Sequence, residues 1–312
     1  MERKPVVTYF ALGSLLLLAV LGFLLPSGAR SLVIQMMVFS IFAMGYDICL
    51  GYTNQCSLGH SIFFGVGAYG AILSIMTFKV SLLPSIGIAL VAGVVVAFLL
   101  GLICVRLSEA YFVIVTAIIS AVFHLLAMDM TWLTGGDDGL SISMPPLSLG
   151  FTQFSIATPL ANYYLVFIFL VLSYLFLNRV LKAPLGRIFI SIRENEKRAH
   201  FLGYNVLRYK LIAFVLSGMF GAVSGALYTL SLRYASADYF SFYWSILPVV
   251  WCLVGGLGTL VGCWIGVALM SLFQYYVSAW FTHYLLLFGV LILVILRVSR
   301  KGMLGYLVLK GK

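Results

Sequence analysis

The chain reads as an all-α integral membrane protein of about ten transmembrane or re-entrant helices, and three observations carry that reading. Hydrophobic residues make up 63% of its 312 residues and charged residues only 9%, with a mean hydropathy of +1.12. A water-soluble fold of that composition has too few polar groups to cover its surface, so the solvent is lipid. The apolar residues also fall into runs close to the roughly 20 residues needed to cross the hydrocarbon layer. Finally, the basic residues sort by side. With both termini in the cytoplasm, all but Arg30, Lys79 and Arg233 of the 19 Lys and Arg residues fall on the cytoplasmic face. That bias follows the positive-inside rule and supports an even number of crossings; the net charge of +10 then reports orientation rather than nucleic-acid binding.

The first run, 7–25, follows the basic start MERKPVVTYF and looks like a signal peptide. No convincing small-residue cleavage site follows Pro26, so it is expected to remain as the first crossing. Further runs lie near 31–51, 58–78, 82–105, 110–131, 161–181, 211–232, 243–257, 259–278 and 284–297. Two of these are candidates for re-entry: 58–78 is glycine-rich from its start, and 243–257 is short. The whole chain forms one membrane domain, 1–312, with one cytoplasmic loop, 182–210, inside it.

That loop, RVLKAPLGRIFISIRENEKRAHFLGYNVLRYK with its flanks, is the one long interruption dense in charge. Helix-compatible residues from about Arg187 to Leu202, between Pro184 and Gly186 on one side and Gly203 on the other, predict a short helix bounded by turns. Ile188, Phe189, Ile192, Ala199 and Leu202 supply an apolar side, and Arg187, Arg193, Glu194, Glu196, Lys197 and Arg198 a polar one. Such a helix either lies on anionic lipid or docks into a partner groove.

Small residues predict close helix packing. Gly258, Gly262 and Gly266 recur every four positions, as do Gly221 and Gly225. Their faces serve packing within the subunit or contact with a second membrane subunit. Cys49, Cys56, Cys104, Cys252 and Cys263 show no metal-type spacing and are read as reduced packing residues, with no metal expected.

Polar residues within the apolar runs mark candidate sites. In GYTNQCSLGH, residues 51–60, the side chains of Thr53, Asn54, Gln55, Ser57 and His60 would be unpaired in lipid, so the stretch faces protein or a watery cavity. Together with Phe64 and Tyr69 it is the first choice for a substrate path, with a polar packing knot as the equal alternative. Asp47 and Asp129 lie near the two surfaces, and His124 is deeper but able to stay neutral. LTGGDDGLS places Asp137 and Asp138 in the longest external loop, and Arg233 and Asp238 sit in RYASADYFS. Both loops are candidates to dock an external protein, or are solvated turns.

No GxxxxGK[ST] and no HExxH occurs, so the chain is not expected to hydrolyse nucleotide or act as a zinc enzyme. Four ordered blocks carry a resemblance: GYTNQCSLGHSIFFGVGAYGA, AYFVIVTA…WLTGGDDGLS, PLGRIFISIRENEKRAHFLGYNVLRYKLIAF and LVGGLGTLVGCWIG. They resemble the branched-chain amino acid ABC permease family, in its M-type subunit, and cover most of residues 45–270. The pattern Glu196-x-x-Ala199-x-x-x-Gly203 resembles the family's ATPase-coupling loop, which implies a coupling role for Gly186, Arg187, Arg193, Glu194, Glu196, Ala199 and Gly203. His200, Phe201 and Cys56 depart from the family's pattern. The resemblance implies an importer of branched-chain amino acids in the bacterial cytoplasmic membrane, with an H-type permease partner, two ATPase subunits binding the ATP, and an extracytoplasmic binding protein. Related permeases carry other amino acids, urea or short amides, and an ion-coupled transporter is the reading from another class.

Overall fold

The computed structural model describes residues 5–143, 147–148, 153–154, 158–281, 286–287 and 289–290. It is helical almost throughout. In chain order the helices are α1 Pro5–Leu24, α2 Ser27–Asp47, α3 His60–Phe78, α4 Leu82–Cys104, α5 Glu109–Asp129, α6 Thr131–Thr134, α7 Pro159–Lys182, α8 Pro184–Glu194, α9 Glu196–Phe201, α10 Val206–Leu232, α11 Phe242–Gly255 and α12 Leu260–Trp280. A π-helical segment, Ile48–Tyr52, prolongs α2, and a 3₁₀ turn, Ala237–Phe240, precedes α11.

Among the described residues, seven helices are long and apolar enough to cross a membrane: α2 with its extension, α3, α4, α5, α7, α10 and α12. The protein is a multi-pass membrane protein. The first apolar run forms α1, 20 residues long, whereas Phe242–Gly255 has 14 residues, fewer than a full crossing takes. The expected crossing near 284–297 falls almost entirely outside the described residues, as do both chain termini.

Two short antiparallel ribbons were not anticipated by an all-helical reading. β1 Leu140–Ser141 pairs with β4 Tyr234–Ala235, and β2 Leu147–Ser148 pairs with β3 Gln153–Phe154. Strands of two residues carry no periodicity that a sequence window can register.

Burial separates inner from outer helices. In α2, α3 and α10, 72%, 67% and 67% of the apolar window is buried, against 28%, 22% and 33% in α4, α5 and α7. The outer helices present Val91, Ile103, Ile114, Leu125 and Leu172 outward, each more than half exposed. An apolar belt of that extent is stable only against hydrocarbon.

Without a hydrophobic drive between helices in lipid, close backbone approach supplies the packing. A Cβ at Gly67 of α3 would strike the Ala222 carbonyl of α10, and one at Gly225 of α10 would strike the Phe64 carbonyl of α3. Gly221 of the same α10 face lies against Phe63 and Phe42. Gly262 and Gly266 press on the carbonyl-bearing face of α11 at Gly255 and Trp251. These glycines therefore pack within the subunit. Gly258 is a correction to the sequence reading: it lies in the turn before α12 at φ +73°, not on that helix's face.

The loop over 182–210 also differs from expectation. Instead of one helix over 187–202 it forms two, α8 and α9, broken at Asn195, whose extended backbone (φ −162°, ψ 106°) lets its side chain cap the Arg198 N–H. Asn favours caps over helix interiors because its amide competes for backbone groups. Gly186 is not a boundary turn but a buried residue of α8, where a Cβ would meet the Leu181 carbonyl. Phe189, Ile192 and Ala199 are buried as expected, whereas Leu202 is 68% exposed. Leu202 is the C-terminal cap of α9, past the turn that buries Ala199 with Ile192 and Val206.

Gly67→Leu is expected to destabilise the protein by about 1–3 kcal/mol by overpacking, seen as a lower Tm in detergent. Gly13→Ala, with nothing within 4 Å of the added methyl, should leave the Tm unlowered.

Candidate functional site

Arg187, Arg193, Lys197 and Arg198 on α8 and α9 make that end of the bundle the basic end. The central feature is the connection from α2 to α3. Below Tyr52 the chain leaves helical geometry, Asn54 adopts φ +58°, and α3 begins only at His60. Thr116 and Ser120, which meet this segment, lie seven and eleven residues into α5, roughly 10 and 16 Å along it at 1.5 Å per residue. The interruption therefore rises from the basic end into the bundle.

Its backbone groups have named partners. Gln55 N donates to Cys49 O at 2.8 Å, Leu58 N to Thr116 Oγ1 at 3.1 Å, Gly59 N to Ser57 Oγ at 3.2 Å and Ser61 N to Ser245 Oγ at 2.9 Å. Tyr46 Oη donates to Ser57 O at 2.9 Å. Hydroxyls from α2, α5 and α11 thus replace the helical hydrogen bonds that the break removes. Further in, Ser61 and Ser120 share a 2.6 Å hydroxyl contact and both reach Phe240 O. His60 Nε2 lies 2.7 Å from Ser217 Oγ of α10.

The structure brings the expected path residues into one region but surrounds most of them with protein. Gln55, Ser57, His60, Phe64 and Tyr69 are buried, and Asn54 is exposed at the basic end. Phe64 stacks on Trp244 with centroids 4.8 Å apart. Tyr69 stacks on Phe240 and donates to Thr134 O at 3.0 Å. Sequence reading missed the partners Ser61, Ser120, Ser217, Ser245 and Trp244. The available signal was serine recurring inside otherwise apolar helices, which marks faces turned from lipid.

Asp47 was placed at a hydrated surface, and the structure buries it fully. Its Oδ1 accepts from Gly258 N at 2.8 Å, tying the end of α2 to the turn between α11 and α12. Space there is tight: a Cβ at Gly51 would collide with Asp47 and with Gly258 N, and one at Gly258 would meet the Arg193 guanidinium of α8. Asp47, Cys252 and Cys263 offer ligand atoms within 4.8 Å of one another, the one potential metal-ligand group of three among the described residues. Other hydrogen bonds engage these atoms: Cys252 Sγ contacts Ala43 O at 3.2 Å and Cys263 Sγ at 3.6 Å, and Cys263 also contacts Thr259 O. All five cysteines are free thiols, and all but Cys56 are buried.

At the loop, Lys210 of α10 pairs with Glu196 of α9 at 2.5 Å, joining a buried ammonium to a half-exposed carboxylate. Arg187, Arg193, Glu194 and Glu196 are exposed and Ala199 is buried. A cavity of about 850 Å³ opens beside Glu196, Lys197, His200, Phe201, Gly203 and Tyr204, with Phe201 87% exposed. At the opposite end, β1 and β4 join the loops of the acidic and Arg233 segments into one surface. Asp137, Asp138, Arg233 and Asp238 are exposed there; Tyr234 Oη donates to Asp138 O, and Trp244 Nε1 donates to Asp238 Oδ2. His124 is a hydrogen-bonded packing residue, its Nδ1 3.1 Å from Ala237 O.

A family profile described as branched-chain amino acid transport system / permease component matches residues 28–296. The chain belongs to that permease family. It is 27% identical over 271 residues to the high-affinity branched-chain amino acid transport system permease protein LivM of Salmonella typhimurium, covering 80% of this chain and 64% of that one. LivM of Escherichia coli is 28% identical over 268 residues, 79% of this chain and 63% of that one. A probable LivM of Methanocaldococcus jannaschii is 27% identical over 277 residues, 78% of each. The permease thus spans a little under two thirds of the length of the two enterobacterial relatives. No solved structure matches it significantly.

Asp47→Leu should cost about 1–3 kcal/mol, because the Gly258 N–H then loses its acceptor. Asp47→Asn, which keeps an acceptor, should retain most of that stability. Thermal unfolding of the purified protein compares the two. A double-mutant cycle on Lys210→Met and Glu196→Gln should give a coupling of about 1 kcal/mol or less, since Glu196 is half exposed, and it should fall with added salt.

Proposed function

We propose that the chain is the transmembrane permease subunit of an ABC importer that moves branched-chain amino acids into the cytoplasm, using ATP hydrolysed by partner subunits. The observation that carries this reading is the connection between the broken α2–α3 segment and the loop helices α8 and α9. Arg193 of α8 lies over Gly258, whose N–H is held by Asp47 at the foot of α2. Lys210, at the start of α10, pairs with Glu196 of α9. A displacement of the loop reaches the break through both links.

The family match supports the cargo class, and the resemblance of the Glu196–Gly203 pattern supports two ATPase subunits seated on the loop. On this reading the basic end faces the cytoplasm of a bacterial inner membrane, and both termini lie there. An H-type permease completes a heterodimer. The cavity beside Glu196, His200, Phe201 and Tyr204, with apolar rings at its rim, is where an ATPase would seat. ATP-driven closure of the ATPases moves α8 and α9, and the interrupted segment with Asn54, Gln55, Ser57, His60, Phe64 and Tyr69 opens and closes the path. Discontinuous helices near the midplane are where transporters place their substrates. The joined surface of Asp137, Asp138, Arg233 and Asp238 receives the binding protein that delivers the amino acid. The permease itself holds no ATP or other cofactor on this reading.

The test is purification of the assembled complex from membranes, identification of its partners by mass spectrometry, and a screen for the solute that stimulates ATP hydrolysis. Leucine, isoleucine or valine stimulation with vanadate-sensitive uptake supports the proposal. Stimulation only by urea or short amides moves the substrate class, and vanadate-insensitive uptake without ATPases overturns the importer reading.

Gly203→Pro and Glu196→Arg are each expected to abolish stimulated uptake while the complex still assembles. Gly203 sits at φ +88°, which the proline ring excludes, and the second change places a cation against Lys210. Normal uptake by both assembled variants removes the loop from the mechanism.

A further inference from the structure

At the basic end, a second cavity of about 280 Å³ lies between the broken segment and α5. Its floor holds Gln55, Phe112 and Lys210, all buried, and its mouth holds the exposed Asn54 and Glu109. Leu107 and Val113 complete an apolar wall. A buried ammonium, a carboxylate and an apolar wall in one small cavity match the three parts of a single small amphiphile. An α-amino acid with an aliphatic side chain has that charge pattern: a carboxylate for Lys210, an ammonium for Glu109 and a hydrocarbon for Leu107, Phe112 and Val113.

Both charged groups already hold partners that belong to the transport links. Lys210 Nζ pairs with Glu196 of the loop at 2.5 Å, and Glu109 Oε1 accepts from Asn54 Nδ2 of the break at 3.3 Å. We propose that this cavity is an inward-facing regulatory site for a free branched-chain amino acid, which competes with Glu196 for Lys210 and with Asn54 for Glu109. Occupancy releases the loop from α10 and the break from α5, and so slows import when product accumulates inside. The inhibitory role rests on the importer reading above; the ligand chemistry rests on the cavity itself.

The experiment uses the complete complex in proteoliposomes, with leucine inside at millimolar concentration and tracer leucine with binding protein outside. Internal leucine should lower the initial uptake rate several-fold, whereas internal leucinamide, lacking the carboxylate, and 4-methylpentanoate, lacking the ammonium, should not. Glu109→Gln should raise the internal leucine needed for half-inhibition about tenfold, as loss of one charge-assisted hydrogen bond predicts. Val113→Trp, which fills the cavity without touching a charge, should remove the inhibition. Equilibrium binding of leucine to the complex without binding protein supplies the independent readout, with the same order of ligands and variants. If leucine is imported normally and internal leucine neither binds nor slows uptake, the regulatory site is overturned and the importer reading stands. If leucine is not imported yet binds with dependence on Glu109 and Val113, the site stands and the importer reading fails.

Discussion

A polypeptide that leaves helical geometry inside a bilayer must find new hydrogen-bond partners for its backbone, because the hydrocarbon offers none. Each group left alone costs several kcal/mol, a large fraction of the net stability of any fold. Residues 53–61 meet that demand with borrowed side chains. Thr116 comes from α5, Ser245 from α11, Tyr46 from α2, and the segment's own Ser57 turns back on Gly59. Four separate pieces of chain must be in register at once for this break to exist. The interior of the bundle is arranged to satisfy it, and the glycine contacts of α3 with α10 bring the backbones close enough for His60 to meet Ser217.

The same constraint makes the break a mechanical junction. Hydroxyl hydrogen bonds are short-ranged and directional, so a small shift of one contributing helix exchanges or loses them. The Asp47–Gly258 contact clamps the foot of α2 to the α11–α12 turn, and Arg193 of α8 rests on that turn. The Lys210–Glu196 pair is a different kind of link. Its lysine is buried and its glutamate half exposed, so it contributes modest stability but is readily exchanged for another anion. A rigid clamp and an exchangeable pair side by side give a loop that is held in place and still able to move.

Much of the fold was legible because lipid imposes a coarse rule: apolar length and sorted charge suffice to find helices. The boundaries of α2, α4, α5 and α7 follow the apolar runs within a few residues, since Ser, Thr and Pro mark their starts. What escaped had local causes. Asn195 splits the loop helix through a cap that a helical-wheel reading treats as one more polar position. Gly258 fits an every-fourth pattern by coincidence, while its φ of +73° serves a turn. Asp47 looked interfacial because depth was judged by distance from a run's end, yet the turn between α11 and α12 covers it and donates the Gly258 N–H to its carboxylate. At the candidate site, the polar stretch 51–60 was conspicuous, but its partners are single serines on distant helices. Nothing in the sequence pairs Ser61 with Ser120 and Ser245 before the helices are packed.

The far end of the molecule reaches the same junction. The β1–β4 ribbon leads directly into the 3₁₀ turn Ala237–Phe240, whose last carbonyl accepts from both Ser61 and Ser120. Asp238 in that turn holds the indole of Trp244, and Trp244 stacks on Phe64, about one turn into α3. A load applied at the exposed surface of Asp137, Asp138 and Arg233 is therefore transmitted by a short, hydrogen-bonded chain rather than through the full length of the helices. From the other side, Tyr46 donates to Ser57 O and packs edge-on against His60, one residue along α2 from Asp47 and its contact with Gly258. Segment 53–64 is the place where contacts from both ends of the bundle converge, and on the proposed importer reading a two-state arrangement there would couple the two surfaces without large movement of the outer, lipid-facing helices.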